Sequence, residues 1–597
     1  MGRQFLMGNG AIALGALHAG VNLVCGYPGT PSTEILETAA KLNDGSVYVE
    51  WSANEKAALE VAAGASYAGA RTLVTMKQVG MNVASDPLMS LAYVGVKGGM
   101  VIVVADDPGP ISSQTEQDTR QFARFAKVPV FDPSTPEEAY AMVADAFAVS
   151  ETYQTPVILR PTTRICHGCA SVEVPDMPVT RHTPPGFVKD PQRFVIFPRA
   201  SYQNHIRLEK LAMKLSDEFS AYHRNRIWGA GVKGIACGGV SDAYVSEVLP
   251  DCADVCRLKI STPFPFPEEL AVRFLSSVGE VMVFEELDPV IERELLYICG
   301  KYQLSAQIHG KLDGSIPPAG ESSTELVKSV LTSYLGLRAC TAVQREKIPE
   351  TPVRPPVLCA GCPHRASFYA IKEALKDRRA VCCGDIGCYT LGNAVPLEMV
   401  DTCLCMGAGV TIAQGLARIE PDVTHVACIG DSTFFASGMT GVVNAVYNQT
   451  DLLLIVLDNS TTAMTGQQPH PGTGRTMMGG ISEKISIERL LTAMGVSSVE
   501  TADPMQHTEA VDAVRRAAEQ KGVRAVIFRS PCIAVKKSGN AFTINDKCIG
   551  CLKCVRSLGC PAIVRDGKHV LIDAGLCTGC SLCAQICPVN AIKPKIS

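Results

Sequence analysis

Residues 423–438 read VTHVACIGDSTFFASG and residues 451–466 read DLLLIVLDNSTTAMTG. Each opens on an apolar run and closes on a polar turn, the pattern of a strand buried on both faces of a parallel sheet. In such sheets ligands bind beyond the carboxyl ends of the strands. Gly430, Asp431 and Ser432 follow the first run there, and Asp458, Asn459, Ser460 and Thr461 follow the second. Asp431 and the Asn459 amide oxygen can reach one divalent cation, which takes hard oxygen ligands and accepts phosphate oxygens in the same shell. Gly430 lets the backbone approach a diphosphate, and a helix opening near Ser432 points its N–H groups at it. A thiamine diphosphate anchor with Mg2+ fits this arrangement, and so does an ordinary strand-end turn.

A second alternating region lies at the other end of the chain. RTLVTMKQ (71–78), GMVIVVADD (99–107) and TPVILRPTT (155–163) read as buried parallel strands, and VNLVCGYPGTPSTEILE (21–37) reads as strand, Gly-Pro turn and a helix opened by Ser32 or Thr33. NEKAALEVAAGASYAGA (54–70) is a helix of small residues with Glu55 at its start. A glutamate there can simply complement the helix dipole. Thiamine diphosphate enzymes, however, pair a diphosphate module with one that presents a glutamate to the aminopyrimidine, and Glu55 suits that role. A weaker alternation fills 190–340, and 341–358, rich in charge and proline, reads as a linker.

The carboxyl-terminal segment carries the most specific signal. Cys577, Cys580, Cys583 and Cys587-Pro588 follow the C-x2-C-x2-C-x3-C-P run of two-cluster ferredoxins, while Cys548, Cys551, Cys554 and Cys560-Pro561 repeat it with five residues before the last cysteine. In that motif the fourth cysteine crosses to the other cluster. The expected sets are Cys548, Cys551, Cys554 and Cys587 on one [4Fe-4S] cluster and Cys577, Cys580, Cys583 and Cys560 on the other. Paired zinc knuckles are the alternative, but zinc has no use for three cysteines at this spacing followed by Cys-Pro, twice. A ferredoxin-like tail implies low-potential one-electron chemistry.

Composition narrows the class. The 597 residues are 47% hydrophobic with 51 Gly and 37 Pro, which suits several globular α/β domains. A net charge of -4 gives no reason to expect nucleic acid or an anionic membrane as partner. No signal peptide or long apolar run is evident, and 25 cysteines argue for a reducing, cytoplasmic setting. Three other features carry less weight. Cys166-His167-Gly168-Cys169 could seed a zinc site but has no second ligand pair, and Cys252 with Cys256 suits packing. GNGAIALG (8–15) has phosphate-loop glycines but neither a preceding strand nor a Lys-Ser/Thr ending.

Taken together, GYPGTPSTEI, WSANEKAALEVAAGASYAGART, CAGCPHRASFYA, GDIGCYTLG, CMGAGVTIAQGLA, GDSTFFASG, LDNSTTAMTGQQPHPGTG and the two-cluster tail resemble the 2-oxoacid:ferredoxin oxidoreductases, nearest their aryl-pyruvate-oxidising α subunits. The resemblance spans the chain and includes the irregular first cluster run. It implies an α/β fold of two thiamine-diphosphate-binding doubly wound modules, a middle α/β domain and a small two-cluster ferredoxin-like α+β domain. The implied boundaries are a pyrimidine-binding domain at 1–180, a transketolase-C-like domain at 190–340, a linker at 341–358, a diphosphate-binding domain at 359–535 and the ferredoxin-like domain at 541–597. It further implies oxidative decarboxylation of an aryl pyruvate, transfer of the acyl group to coenzyme A, and electrons leaving through the clusters to ferredoxin.

By the same resemblance Glu55 activates the cofactor, Thr30 faces the reacting centre, Asp431, Asn459 and the Thr461 carbonyl bind Mg2+, and His364 lies near the cofactor. Cys359, Cys362, Cys388 and Cys532 match the places of a third, proximal cluster found in several members. Inert buried thiols are the other reading of those four, and Cys382, Cys383, Cys403 and Cys405 fit no pattern. A separate small β subunit carrying a γ-type domain is the implied partner, in an α2β2 assembly. Two competing functions remain at this level: a non-oxidative thiamine-dependent decarboxylase with a structural iron–sulfur tail, and an electron-transfer scaffold with a degenerate thiamine site.

Overall fold

A computed structural model describes residues 2–175, 181–250, 254–337, 351–352, 354–536, 539–567 and 569–595. The chain divides into two compact units, Met1–Ile348 and Pro349–Ser597. Most of the expected linker, 341–350 and 353, lies outside the described residues, as does Cys252. No helix among the described residues is long and apolar enough to cross a membrane.

In the first unit the alternating sequence forms a six-stranded parallel sheet, in the order Tyr48–Trp51, Leu23–Gly26, Thr72–Lys77, Met100–Ala105, Val157–Leu159, Val130–Phe131. The central strand MVIVVA is buried throughout, as its apolar run requires. The chain leaves Leu23–Gly26 toward one edge and Thr72–Lys77 toward the other. The crevice beyond the carboxyl ends of these two strands is therefore the natural binding place. A second sheet holds four parallel strands, Gln307–His309, Glu280–Phe284, Lys233–Gly238 and Cys256–Ile260, with Arg226–Trp228 antiparallel at its edge. Buried Arg120 donates to Asp118 at 2.7 Å and to Glu285 at 2.9 Å, so the two sheets share a charge pair on each side of one guanidinium.

One expectation fails here. The stretch at 8–15 does have a preceding strand, Gly2–Met7, but it pairs antiparallel with Cys169–Val174 outside the parallel sheet. The glycines serve packing: a Cβ at Gly8 would lie 1.8 Å from the Ile165 carbonyl oxygen, and one at Gly15 2.4 Å from that of Tyr140. The helix Gly8–His18 thus lies close to its neighbours, and no phosphate loop is formed.

The second unit is built on a five-stranded parallel sheet, in the order Ala380–Cys383, Thr424–Gly430, Leu452–Asp458, Val523–Arg529, Ser498–Ala502. The tail adds a hairpin, Ile563–Asp566 with His569–Ile572, and an antiparallel pair, Phe542–Ile544 with Ile592–Pro594. Leu558, Leu582 and Ile586 from the tail are buried in the same apolar cluster as Leu358, Ala366 and Tyr369. The cysteine-rich segment is thereby packed onto the sheet module.

Candidate active site and cluster pocket

In the second unit the strand Thr424–Gly430 ends at Gly430, and Asp431 begins a helix that continues as a wide π turn over Phe434–Gly438. Such turns cluster at functional positions. A Cβ at Gly430 would lie 2.4 Å from the Tyr389 hydroxyl, so glycine is required here by the tyrosine as well as by any ligand. Asp431 is buried, and each carboxylate oxygen has a backbone donor: Ser432 N–H at 2.8 Å and Ser460 N–H at 2.8 Å. His470 Nε2 stands 3.1 Å from the same oxygen as Ser460. Burial pushes the Asp431 carboxyl upward, and His470 and the amide of Ser432 oppose it.

The Ser460 bond brings the second strand-end turn against Asp431. Asn459 and Thr461 are both buried, and the Thr461 N–H donates to Asn459 Oδ1 at 3.2 Å. Asn459 Nδ2 lies 3.2 Å from His364 Nε2, and the His364 ring stands edge-on to Tyr389. Full burial lowers His364 to about 4, so it is neutral at physiological pH and accepts from the amide. Thr462 donates to the Ser432 hydroxyl at 3.0 Å. Oxygen ligands, neutral imidazole and helix N–H groups converge at two strand ends, a donor set that fits a hard cation and a diphosphate.

In the first unit Glu55 opens the helix Glu55–Tyr67, capped by Asn54, whose side chain accepts from Ala57 N–H. Burial raises the Glu55 carboxyl to about 7, against the pull of Lys77. A Cβ at Gly80 would sit 2.5 Å from Glu55 Oε1, so that glycine makes room for the carboxyl. Lys77 ends the strand Thr72–Lys77, and its Cγ would be 3.1 Å from a Cβ at Gly29. Desolvation lowers the Lys77 ammonium, while Asp107 and Glu55 raise it. The turn bearing Thr30 is tied down by Asn9, whose amide donates to the Pro31 carbonyl at 2.6 Å, and by Ser112, which donates to the Thr30 carbonyl at 3.3 Å. Lys77, Asn9, Tyr389 and His470 were given no role by the sequence, although Asn9, Tyr389 and His470 stand inside quoted motifs; each is defined by a contact between distant segments.

The tail cysteines fall into two environments. Cys560, Cys577, Cys580 and Cys583 line one pocket, together with Gly361, Phe542 and Ile563 among others. Three cysteines of one run and the last cysteine of the other thus share one pocket, the crossed ligand set of a [4Fe-4S] cluster. Phe542 N–H donates to Cys577 Sγ at 3.4 Å. Burial pushes Cys583 up to about 12, and the sulfurs of Cys580, Cys560 and Cys577 add to it. Cys548 and Cys551 are exposed and act electrostatically on Cys554, while Cys587 Sγ accepts from Ala591 N–H at 3.3 Å.

Elsewhere Cys388 lies within electrostatic range of Cys532 and Cys359, and Cys362 of Cys359. Cys532 N–H donates to the Asn459 carbonyl, which ties this group to the strand-end turn. Cys166 is buried at the end of a short helix and Cys169 is exposed on the edge strand. Among the described residues no three Cys, His, Asp or Glu side chains converge on a single-ion site.

Comparison with known proteins bears on this arrangement. The family described as pyruvate flavodoxin/ferredoxin oxidoreductase, thiamine diP-bdg, matches residues 14–214. The thiamine pyrophosphate enzyme C-terminal TPP binding domain matches residues 385–528, and the 4Fe-4S binding domain matches residues 570–593. Indolepyruvate oxidoreductase subunit IorA of Archaeoglobus fulgidus is 42% identical over 100% of this chain and 98% of its own length. The subunit of that name from Methanothermobacter thermautotrophicus is 41% identical over 99% of this chain and 97% of its own. Among solved structures, a 2-oxoglutarate:ferredoxin oxidoreductase from Magnetococcus marinus aligns over 55% of this chain and 65% of that one, at 16% identity and TM-score 0.45.

Proposed function

The chain belongs to the family of indolepyruvate oxidoreductase subunit IorA, and from that premise we propose that it is the catalytic α subunit of an enzyme that converts aryl pyruvates, indolepyruvate foremost, to aryl-acetyl-CoA. At the coarser level it is a thiamine-diphosphate-dependent 2-oxoacid:ferredoxin oxidoreductase with iron–sulfur centres. The observation that carries the finer reading is the end-to-end match to relatives of that name, tail included. Thiamine diphosphate, when bound, supplies the carbon nucleophile for the 2-oxo carbonyl and the electron sink for loss of carbon dioxide.

The chain's own residues divide the remaining work. Glu55, with a carboxyl raised to about 7, holds and exchanges a proton at the aminopyrimidine. Asp431, Asn459 and the Thr461 carbonyl hold Mg2+, which in turn fixes the diphosphate, and neutral His364 orients the Asn459 amide. Thr30 borders the reacting centre, and the Lys77 ammonium meets the carboxylate of the 2-oxo acid. Cys560, Cys577, Cys580 and Cys583 hold one [4Fe-4S] cluster, and Cys548, Cys551, Cys554 and Cys587 the other, from which electrons pass to ferredoxin. Cys359, Cys362, Cys388 and Cys532 are the place for a proximal cluster. A small β subunit with a γ-type domain completes an α2β2 enzyme in the cytoplasm.

The test is anaerobic. The chain, purified with its small partner and supplied with Mg2+ and thiamine diphosphate, should reduce a viologen dye with indolepyruvate only when coenzyme A is present, and faster than with pyruvate or 2-oxoglutarate. Release of carbon dioxide and aldehyde without dye reduction, despite intact clusters, would leave the non-oxidative decarboxylase instead.

A further inference from the structure

The first cysteine run carries five residues, Val555 to Gly559, where the regular motif has three. The structure gives those residues a task. They lie in and just after the helix Lys553–Leu558, whose last residue is buried among Leu358, Cys362, Ala366 and Tyr369 of the sheet module. Gly559 adopts φ +57°, and a Cβ there would meet Pro396 Cδ at 2.4 Å. Only a residue without a side chain lets the loop lie so close to the module.

Arg365, in the first turn of the helix Pro363–Leu375, grips this loop. Its Nη1 donates to the Leu558 and Gly559 carbonyls, the latter at 2.9 Å, and its Nη2 donates to the Leu358 carbonyl. Arg365 is 4% exposed, and its Nε has no hydrogen-bond partner among the described residues. Three carbonyls satisfy hydrogen bonds but supply no counter-charge, and an uncompensated buried cation is costly. The ionisable groups that act on it are the sulfurs of Cys560, Cys362, Cys580 and Cys359. Two of these line the pocket that also holds Cys577 and Cys583.

We propose that the lengthened Cys554–Cys560 spacer is a docking loop, and that Arg365, gripped by it, is a positioning residue that raises the reduction potential of the cluster held by Cys560, Cys577, Cys580 and Cys583. A [4Fe-4S] cluster with four thiolates is anionic in both oxidation states and gains one further negative charge when it accepts an electron. A fixed cation beside it, shielded from water, favours the reduced form. None of Cys548, Cys551 and Cys554 is among the sulfurs that act most on Arg365, so the shift falls on the pocket cluster. The docking loop thus does two things: it seats the tail on the thiamine module, and it makes the pocket cluster the better electron acceptor of the two in the tail.

This rests on the pocket holding a cluster, which iron content and the EPR signal of the reduced wild-type chain establish separately from any activity. The deciding measurement is an EPR-monitored redox titration of the full chain as wild type, Arg365→Lys and Arg365→Gln. Glutamine keeps an amide donor for the loop carbonyls but loses the charge; lysine keeps the charge. The expected result is a negative shift of one of the two tail clusters in Arg365→Gln, with the other unmoved and Arg365→Lys close to wild type. Loss of one cluster from the Gln variant alone reports the same dependence on charge and supports the proposal. Unmoved potentials in both variants would overturn it. Equal shifts in both, or loss of the cluster from both, would also overturn it, because the residue would then act as a strut and not as a charge.

Discussion

Glu55 and Asp431 each open a helix, yet their surroundings differ. Asp431 has a backbone N–H on each oxygen and an imidazole beside it. Glu55 has room made by Gly80, a nearby ammonium that forms no ion pair with it, and a carboxyl raised by burial to about 7. Burial raises both carboxyls; at Asp431 the fixed donors offset part of that rise, while Glu55 has few to oppose it. The first arrangement keeps a ligand oxygen in place, and the second keeps a carboxyl near the point where it can gain or lose a proton. Two carboxylates that each open a helix are thus separated in role by what points at them.

The largest expected effect tests the proton-exchange side. Glu55→Gln keeps the shape and a hydrogen-bonding amide but cannot exchange a proton. The rate of 2-oxo acid oxidation should fall about 10²–10⁴-fold, while the Mg2+-dependent affinity for thiamine diphosphate, measured by calorimetry, should change little. A loss of cofactor binding as large as the loss of rate would erase the distinction between the two carboxylates.

The ligand side has its own test. His470→Gln removes the imidazole at 3.1 Å from Asp431 without touching the three expected cation ligands. Outer-shell partners of this kind are typically worth about 10–100-fold in metal affinity. Mg2+ titration in the presence of thiamine diphosphate should show a loss in that range, with the rate recovered at saturating Mg2+. A rate that stays low at saturation would place His470 in the chemistry instead.

The contrast between the two sites also marks what the sequence made legible. Apolar runs announced the strands, so Asp431 and Asn459 right after them could be picked out, and Glu55 could be picked out as the first residue of a helix of small residues. The cysteine spacing was legible for the same reason, since its pattern is local. The residues that decide behaviour were not. His470 meets Asp431 from 39 residues away, Asn9 meets Pro31 from 22, and Arg365 meets Leu558 from 193. All three stand inside segments the sequence singled out, but none was given its role there, because a hydrogen bond across a fold leaves no spacing in the chain. The glycines at 8–15 misled in the opposite way: their spacing looked like a ligand loop, and their use is close packing against Ile165 and Tyr140. The five-residue spacer was visible as an irregularity, but its reason lay in Arg365 and Pro396, which only the packed tail brings near.

Lys77 carries the smallest expected effect and sharpens the comparison most finely. Its ammonium lies at the carboxyl end of the strand Thr72–Lys77, beside Gly29 and near Glu55 and Asp107. Asp107 is already engaged, accepting from Thr163 at 2.6 Å and from Ser112 and Ser113 N–H groups at 2.9 Å, so it is poorly placed to neutralise the lysine. A 2-oxo acid brings a carboxylate of its own, and a hydrogen bond between two charged groups contributes roughly 1.5–3 kcal/mol. Lys77→Met should therefore raise KM for the aryl pyruvate about tenfold or somewhat more, with kcat changed far less, and Lys77→Arg should recover part of it. The control is inhibition by the matching aryl acetaldehyde, which has no carboxylate and should bind both forms alike. If the aldehyde weakens in step with the acid, Lys77 is holding the Thr30 turn in shape. If only the acid weakens, the cation near Glu55 belongs to the substrate, and the first unit's site is built around a charge that arrives with the reactant, just as the second unit's is built around one that arrives with the cofactor.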